Sequence, residues 1–186
     1  MAPDYVGACI ERARLMIERV ETAVEDLDGP DLDRANTAAF LIGVYGHATT
    51  QILHNLKSVY DRDAVEKWWA PWQAAMRKDP MLRFLWNMRS SFLKEGVIGG
   101  PGMVGEPQDD PPPYWRWRFI VGSSWIIDHL GATLTNPGVD EMGRLYVAYL
   151  RRILVSAMDE FHGGVPFDHL AGVRVLPRPA PSGTNS

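Results

Sequence analysis

The sequence predicts a mainly α protein, an antiparallel helical bundle with a small β-hairpin inserted before its last helix. Three features predict it. Apolar residues recur at helical spacing over long stretches of both halves of the chain. Asp-Gly-Pro-Asp and Asp-Pro steps punctuate those stretches. One short segment, from Tyr114 to Val121, alternates apolar and charged residues instead. At 186 residues the chain can build a single domain with a sizeable core. Residues 1–164 are assigned to that domain, with the hairpin at about 114–130. Residues 165–186 form a C-terminal extension, expected to be disordered from about 177 where Pro, Ser and Gly dominate.

The first helix is expected over Tyr5 to Leu27. On a wheel of roughly 100° per residue, Tyr5, Val6, Cys9, Ile10, Ala13, Met16, Ile17, Val20, Val24 and Leu27 share one broad face. Glu11, Arg14, Glu18, Glu21 and Glu25 share the other. Cys9 lies on the apolar face and reads as a buried, inert thiol. Asp28-Gly-Pro-Asp31 stops this helix and caps the next. The second is expected from Leu32 to Tyr60, with a core stripe of Leu41, Val44, Tyr45, Ala48, Ile52, Leu56 and Val59. Ile42, Leu53 and Tyr60 widen that stripe. A third, from Asp61 to Lys78, carries Trp68, Trp69 and Trp72, and Pro71 is expected to kink or break it.

Asp79-Pro80 opens a fourth helix, expected over Met81 to Glu95 and stopped by Gly96. Val97 to Pro113 is rich in glycine and proline and is expected to be irregular loop. In the alternating segment Trp115, Trp117, Phe119 and Val121 face one way, and Arg116 and Arg118 the other. Gly122-Ser123 would turn this strand into a second one near Ser124 to Asp128. The final helix is expected over Val139 to Phe161, with Met142, Leu145, Tyr146, Tyr149, Ile153, Ala157 and Phe161 on its stripe.

Composition narrows the function classes. Apolar residues make up 46% and charged residues 23%, ordinary for a globular chain. One cysteine excludes an intrachain disulfide. A net charge of −4 disfavours a globally basic nucleic-acid binder, and no DNA sequence readout is expected. The start, Met-Ala-Pro-Asp-Tyr, lacks the basic and apolar regions of a signal peptide, and the run from Ala38 to Gly46 is too short for a membrane span. The expected location is therefore cytoplasmic. Gly99-Gly-Pro-Gly102 lacks the Lys-Ser/Thr of a phosphate-cradling loop, and Ser123 and Ser124 lack a nucleophile-elbow pattern. No cofactor is expected.

The fourth helix carries the most chemistry. Met81, Phe84, Leu85, Met88 and Phe92 form one apolar stripe, and Leu82, Trp86 and Leu93 a second. Arg83, Asn87, Ser90 and Lys94 form the polar face. Arg89 falls between the stripes, where a guanidinium needs a carboxylate, a carbonyl or a ligand anion. The second stripe predicts a homodimer.

The segment Ala39-Phe-Leu-Ile-Gly-Val-Tyr-Gly-His-Ala-Thr-Thr-Gln51, the tryptophans after it, and Asp79-Pro-Met-Leu-Arg-Phe-Leu-Trp-Asn-Met-Arg-Ser-Ser-Phe-Leu-Lys-Glu-Gly96 together resemble bacterial HEPN-type helical bundles. The likeness covers roughly residues 30 to 96. In that family the segment typically reads Asp-Pro, an apolar stretch, then Arg-Asn-x-x-x-His. Its Arg and His typically form a metal-independent ribonuclease site across a dimer. The resemblance implies that Arg89 holds a phosphate. Ser90 stands where Asn is usual and Lys94 where the His belongs. A lysine titrates near 10.4 and is a poor general base at neutral pH, although it still binds phosphate.

The resemblance therefore implies a catalytically degenerate HEPN-like protein that binds RNA or a protein partner, in a stress, defence or toxin–antitoxin setting. Arg83, Asn87, Arg89, Ser90 and Lys94 would form its anion-binding face. One alternative is an active ribonuclease using Arg89 with Lys94 as an atypical acid–base. Another is a metal- or small-molecule-binding bundle built on His47, His54 or His129, although no metal-ligand spacing motif is present. Arg116 and Arg118, interleaved with Trp115 and Trp117, suit either a single-strand nucleic-acid surface or a hairpin that caps the bundle.

Overall fold

A computed structural model describes residues 4–79, 81–86, 103–109, 114–119 and 138–163. Helices α1 (Tyr5–Glu25), α2 (Leu32–His54), α3 (Arg62–Lys78), α4 (81–86) and α5 (Val139–Phe161) form an antiparallel bundle. A two-stranded antiparallel sheet, β1 (Met103–Gln108) and β2 (Tyr114–Phe119), completes it.

An aspartate opens each of the first four helices. Asp4 accepts from Gly7 N at 2.8 Å, Asp31 from Asp33 and Arg34 N, Asp61 from Ala64 N, and Asp79 from Leu82 N at 3.0 Å. These carboxylates satisfy first-turn N–H groups that have no partner inside the helix. Gly29, at φ 109°, supplies the left-handed step between α1 and α2.

Pairings along the helices set their directions. Glu21 of α1 meets Arg151 of α5, and Asp4 lies 3.7 Å from His162 just past α5, so these two helices run antiparallel. The Trp68 indole N–H donates to Ser156 at 2.9 Å, and Tyr149 O–H donates to the Trp72 carbonyl at 3.0 Å, so α3 and α5 are antiparallel as well.

Several expectations are corrected. The second helix ends at His54 and tightens into a 3-10 turn over Asn55–Ser58, leaving Val59 and Tyr60 exposed. Its buried face is made of Ala35, Ala38, Ala39, Gly43, Gly46 and Thr49 with Ile42 and Leu53, while the expected stripe of Leu41, Tyr45 and Ile52 is only half-buried. Tyr5 at the first turn of α1 and Leu145 of α5, both expected on apolar stripes, are also exposed. Helix α3 runs through Pro71 without a break. Pro71 and Lys67 both face solvent, so water can take the Lys67 carbonyl that the proline leaves without a donor.

The hairpin is also moved. The partner of β2 is β1, upstream, inside the stretch expected to be irregular loop, with Met103 opposite Phe119 and Gln108 opposite Tyr114. The expected strand at 124–128 and the C-terminal extension lie outside the described residues. The alternation of β2 holds, with Trp117 and Phe119 buried and Arg116 and Arg118 half-exposed. The Trp117 indole donates to the Gly29 carbonyl at 3.1 Å and ties the hairpin to the α1–α2 turn.

Candidate functional site

Of the residues singled out on the fourth helix, Arg83 is described. It sits on the exposed side of α4, whose start is fixed by Asp79. Asn87, Arg89, Ser90 and Lys94 lie outside the described residues. The apolar stripe read as a subunit interface is corrected in part. Leu82 is buried within the chain's own core, and Trp86 packs edge-on against His47 of α2, with ring centres 5.9 Å apart.

The stretch of sequence around Arg83 is cationic. From Lys67 to Lys94 the chain carries six cations, Lys67, Arg77, Lys78, Arg83, Arg89 and Lys94, against one acid, Asp79. The Asp79 carboxylate accepts from a backbone N–H. Lys67, Arg77, Lys78 and Arg83 are exposed. Arg77 and Lys78 also lie in the last turn of α3, where the helix dipole favours positive charge.

The described histidines have other uses. His54 Nε2 lies 3.2 Å from Glu66 and 3.0 Å from Lys57 Nζ, and Lys57 reaches the second Glu66 oxygen at 2.8 Å. The His54 ring stacks on the buried Trp69 indole at 5.3 Å. The hydrogen bond from Lys57, then that with His54, holds the Glu66 carboxyl below the usual carboxylate range. Among the described residues no three His, Cys, Asp or Glu side chains come close enough to hold a metal ion. His129 lies outside them. Cys9 is free and half-buried.

The hairpin takes the capping form. Trp117 is turned into the bundle, and Trp115 packs against the core. Arg116 pairs with Glu141 at 3.1 Å, and Arg118 lies 3.9 Å from Glu106. A buried Trp117 cannot serve as a stacking platform for bases.

A cleft of about 1080 Å³ opens between the end of α1, the start of α5 and Trp115. Its apolar floor is Val24, Leu27 and Val147. Its charged lining holds Glu21 and Glu25 from α1 and Asp28 from the turn after it, with Asp140, Arg144 and Arg151 from α5. Asp140 pairs with Arg144, and Glu21 with Arg151. Burial, aided by nearby Glu18 and Glu25, pushes the Glu21 carboxyl up despite Arg151. Sequence reasoning placed this acidic row on a solvent face. A signal lay in the spacing of Arg144 and Arg151 on α5, two turns apart on one face of that helix.

The described residues form a small mainly α bundle that exposes Lys67, Arg77 and Lys78 on α3 and Arg83 on α4 and carries an acid-lined cleft between α1 and α5. No family model, no curated protein and no solved structure matches the chain. No helix among the described residues is long and apolar enough to cross a membrane.

Proposed function

We propose that the chain is a catalytically degenerate HEPN-like bundle that binds RNA through the cationic stretch from Lys67 to Lys94. The observation that carries this reading is charge asymmetry. A chain of net charge −4 concentrates six cations and one acid in that stretch, and four of the cations are exposed. Phosphate binding needs such a concentration and does not need a globally basic protein. Lys94 in the histidine position suits phosphate binding, because an ammonium keeps its proton at neutral pH far better than an imidazole does and so serves poorly as a general base. The family pattern extends the proposal to a homodimer that brings two copies of Arg89 together.

The test is fluorescence anisotropy with a labelled single-stranded RNA in EDTA across a salt series, on wild type and the triple variant Arg77→Ala, Lys78→Ala, Arg83→Ala. Binding is expected to weaken with salt. The triple variant is expected to lower the log–log slope by about 2, at roughly 0.7 for each phosphate that is no longer neutralised. The same RNA should stay intact with wild type and be cut by Lys94→His. Cleavage by wild type that disappears in Arg89→Ala would replace this reading with an active ribonuclease. Absence of binding at low salt would overturn it. A single-chain mass of 20.9 kDa by light scattering would remove the homodimer.

A further inference from the structure

The cleft between α1 and α5 lies apart from the cationic stretch, and none of the residues from Lys67 to Lys94 lines it. At about 1080 Å³ it is at the large end for small-molecule sites. Its apolar lining is Val24 from α1, Leu27 from the turn after it, and Val147 and Ala148 from α5. Trp115 forms an aromatic wall.

The sign of the lining selects the ligand. Four acids and two arginines contribute. Each arginine is already matched, Arg144 by Asp140 and Arg151 by Glu21. Glu25 and Asp28 form no ion pair among the described residues, the Arg34 guanidinium that acts on Asp28 being bonded to Asp26, and α1 ends at Glu25 with no basic residue in its last turn. The negative end of the helix dipole therefore adds to two carboxylates that hold no ion pair. An anionic ligand is repelled. A single metal ion is not accommodated either, because no three acidic side chains among the described residues converge. The acids are instead strung along a greasy floor. That arrangement suits positive charges separated by methylene spacers, with ammonium groups on the carboxylates, methylenes on Val24 and Val147, and one cation against the Trp115 face.

We propose that this cleft binds a linear alkyl polyamine.

The test is isothermal titration of the full chain with spermidine, on wild type and on the double variant Glu25→Gln, Asp28→Asn. Both replacements keep the shape of the side chain while removing its charge. Wild type is expected to bind one spermidine per chain, and the double variant to bind about tenfold more weakly, as loss of two partly solvated ion pairs implies. A matched control, Asp159→Asn with Glu160→Gln, removes the same charge at the far end of α5 and is expected to leave binding unchanged. Equal weakening in both double variants, displacement of spermidine by magnesium at matched ionic strength, or no heat up to about 5 mM spermidine would each overturn the proposal.

Discussion

The bundle is held by two seams of opposite construction. Where α2 meets α1 and α5, the buried residues of α2 are mostly small, with Ala35, Ala38, Ala39, Gly43 and Gly46 around Ile42. Where α3 meets α5, they are large, with Trp68 set against Phe161 and Trp72 against Tyr149, and Trp69 beside Trp68 carries the His54 ring of α2. Small residues let helix backbones approach, and their contribution comes from many close contacts. Tryptophans cover a gap with few residues and need polar anchors, here the Trp68 bond to Ser156. The seams should therefore fail in opposite ways, one by overpacking and the other by a void.

The largest effect is expected at the aromatic seam. Trp69 is 2% exposed, and its truncation removes both core packing and the surface on which His54 stacks. Trp69→Ala is expected to cost about 3–5 kcal/mol in urea unfolding. Trp69→Phe should cost clearly less, because the indole N–H makes no hydrogen bond among the described residues. Equal costs for the two variants would mean that the void is not what matters.

The small-residue seam gives the next effect, and it reverses a propensity rule. An alanine in a helix interior is ordinarily about 1 kcal/mol better than glycine. A Cβ on Gly46 would lie 2.1 Å from Cε1 of Tyr146, a ring buried on α5. Gly46→Ala is therefore expected to destabilise by about 1–3 kcal/mol. In a Tyr146→Leu background the same change should become neutral or stabilising. Destabilisation of the same size in both backgrounds would separate the effect from the Tyr146 ring.

That contrast also explains how far the sequence could be read. Helix positions were legible because Asp4, Asp31, Asp61 and Asp79 cap local turns and act within a few residues. The final helix, Val139–Phe161, has the expected bounds for the same local reasons of period and punctuation. The face of α2 was not legible. A hydropathy wheel weights Leu41, Tyr45 and Ile52, while the neighbours select Gly43, Gly46 and Thr49 for their size. Strand β1 was hidden because Gly105 and Pro107 argue for loop, and only the non-local pairing with Trp117 and Trp115 makes the segment extended. The α1–α5 cleft needs acids and arginines far apart in sequence to be placed on facing helices. Of the expected anion face, the structure describes Arg83 alone, so its sequence reading stands on the resemblance and on charge.

The smallest effect joins the two seams through one carboxylate. Glu66 of α3 holds Lys57 and His54 at the end of α2, and His54 in turn lies on Trp69. Its native carboxyl titrates below the usual range, so the native state binds its proton less readily than the unfolded chain does. The resulting stabilisation is fully present above the usual carboxylate range and is lost as pH falls through the lowered native value. Glu21, raised by burial, acts in the opposite direction, since its protonation favours the folded state as pH falls. Wild-type stability alone would mix the two. The difference between wild type and Glu66→Gln isolates one. That difference in urea midpoint is expected to be small and positive at neutral pH, because the Glu66 side chain is 42% exposed, and to shrink toward the acid side of the carboxylate range. A difference that stays constant with pH would mean that the Lys57–Glu66–His54 cluster does not hold in solution, and that the two seams are coupled by packing alone.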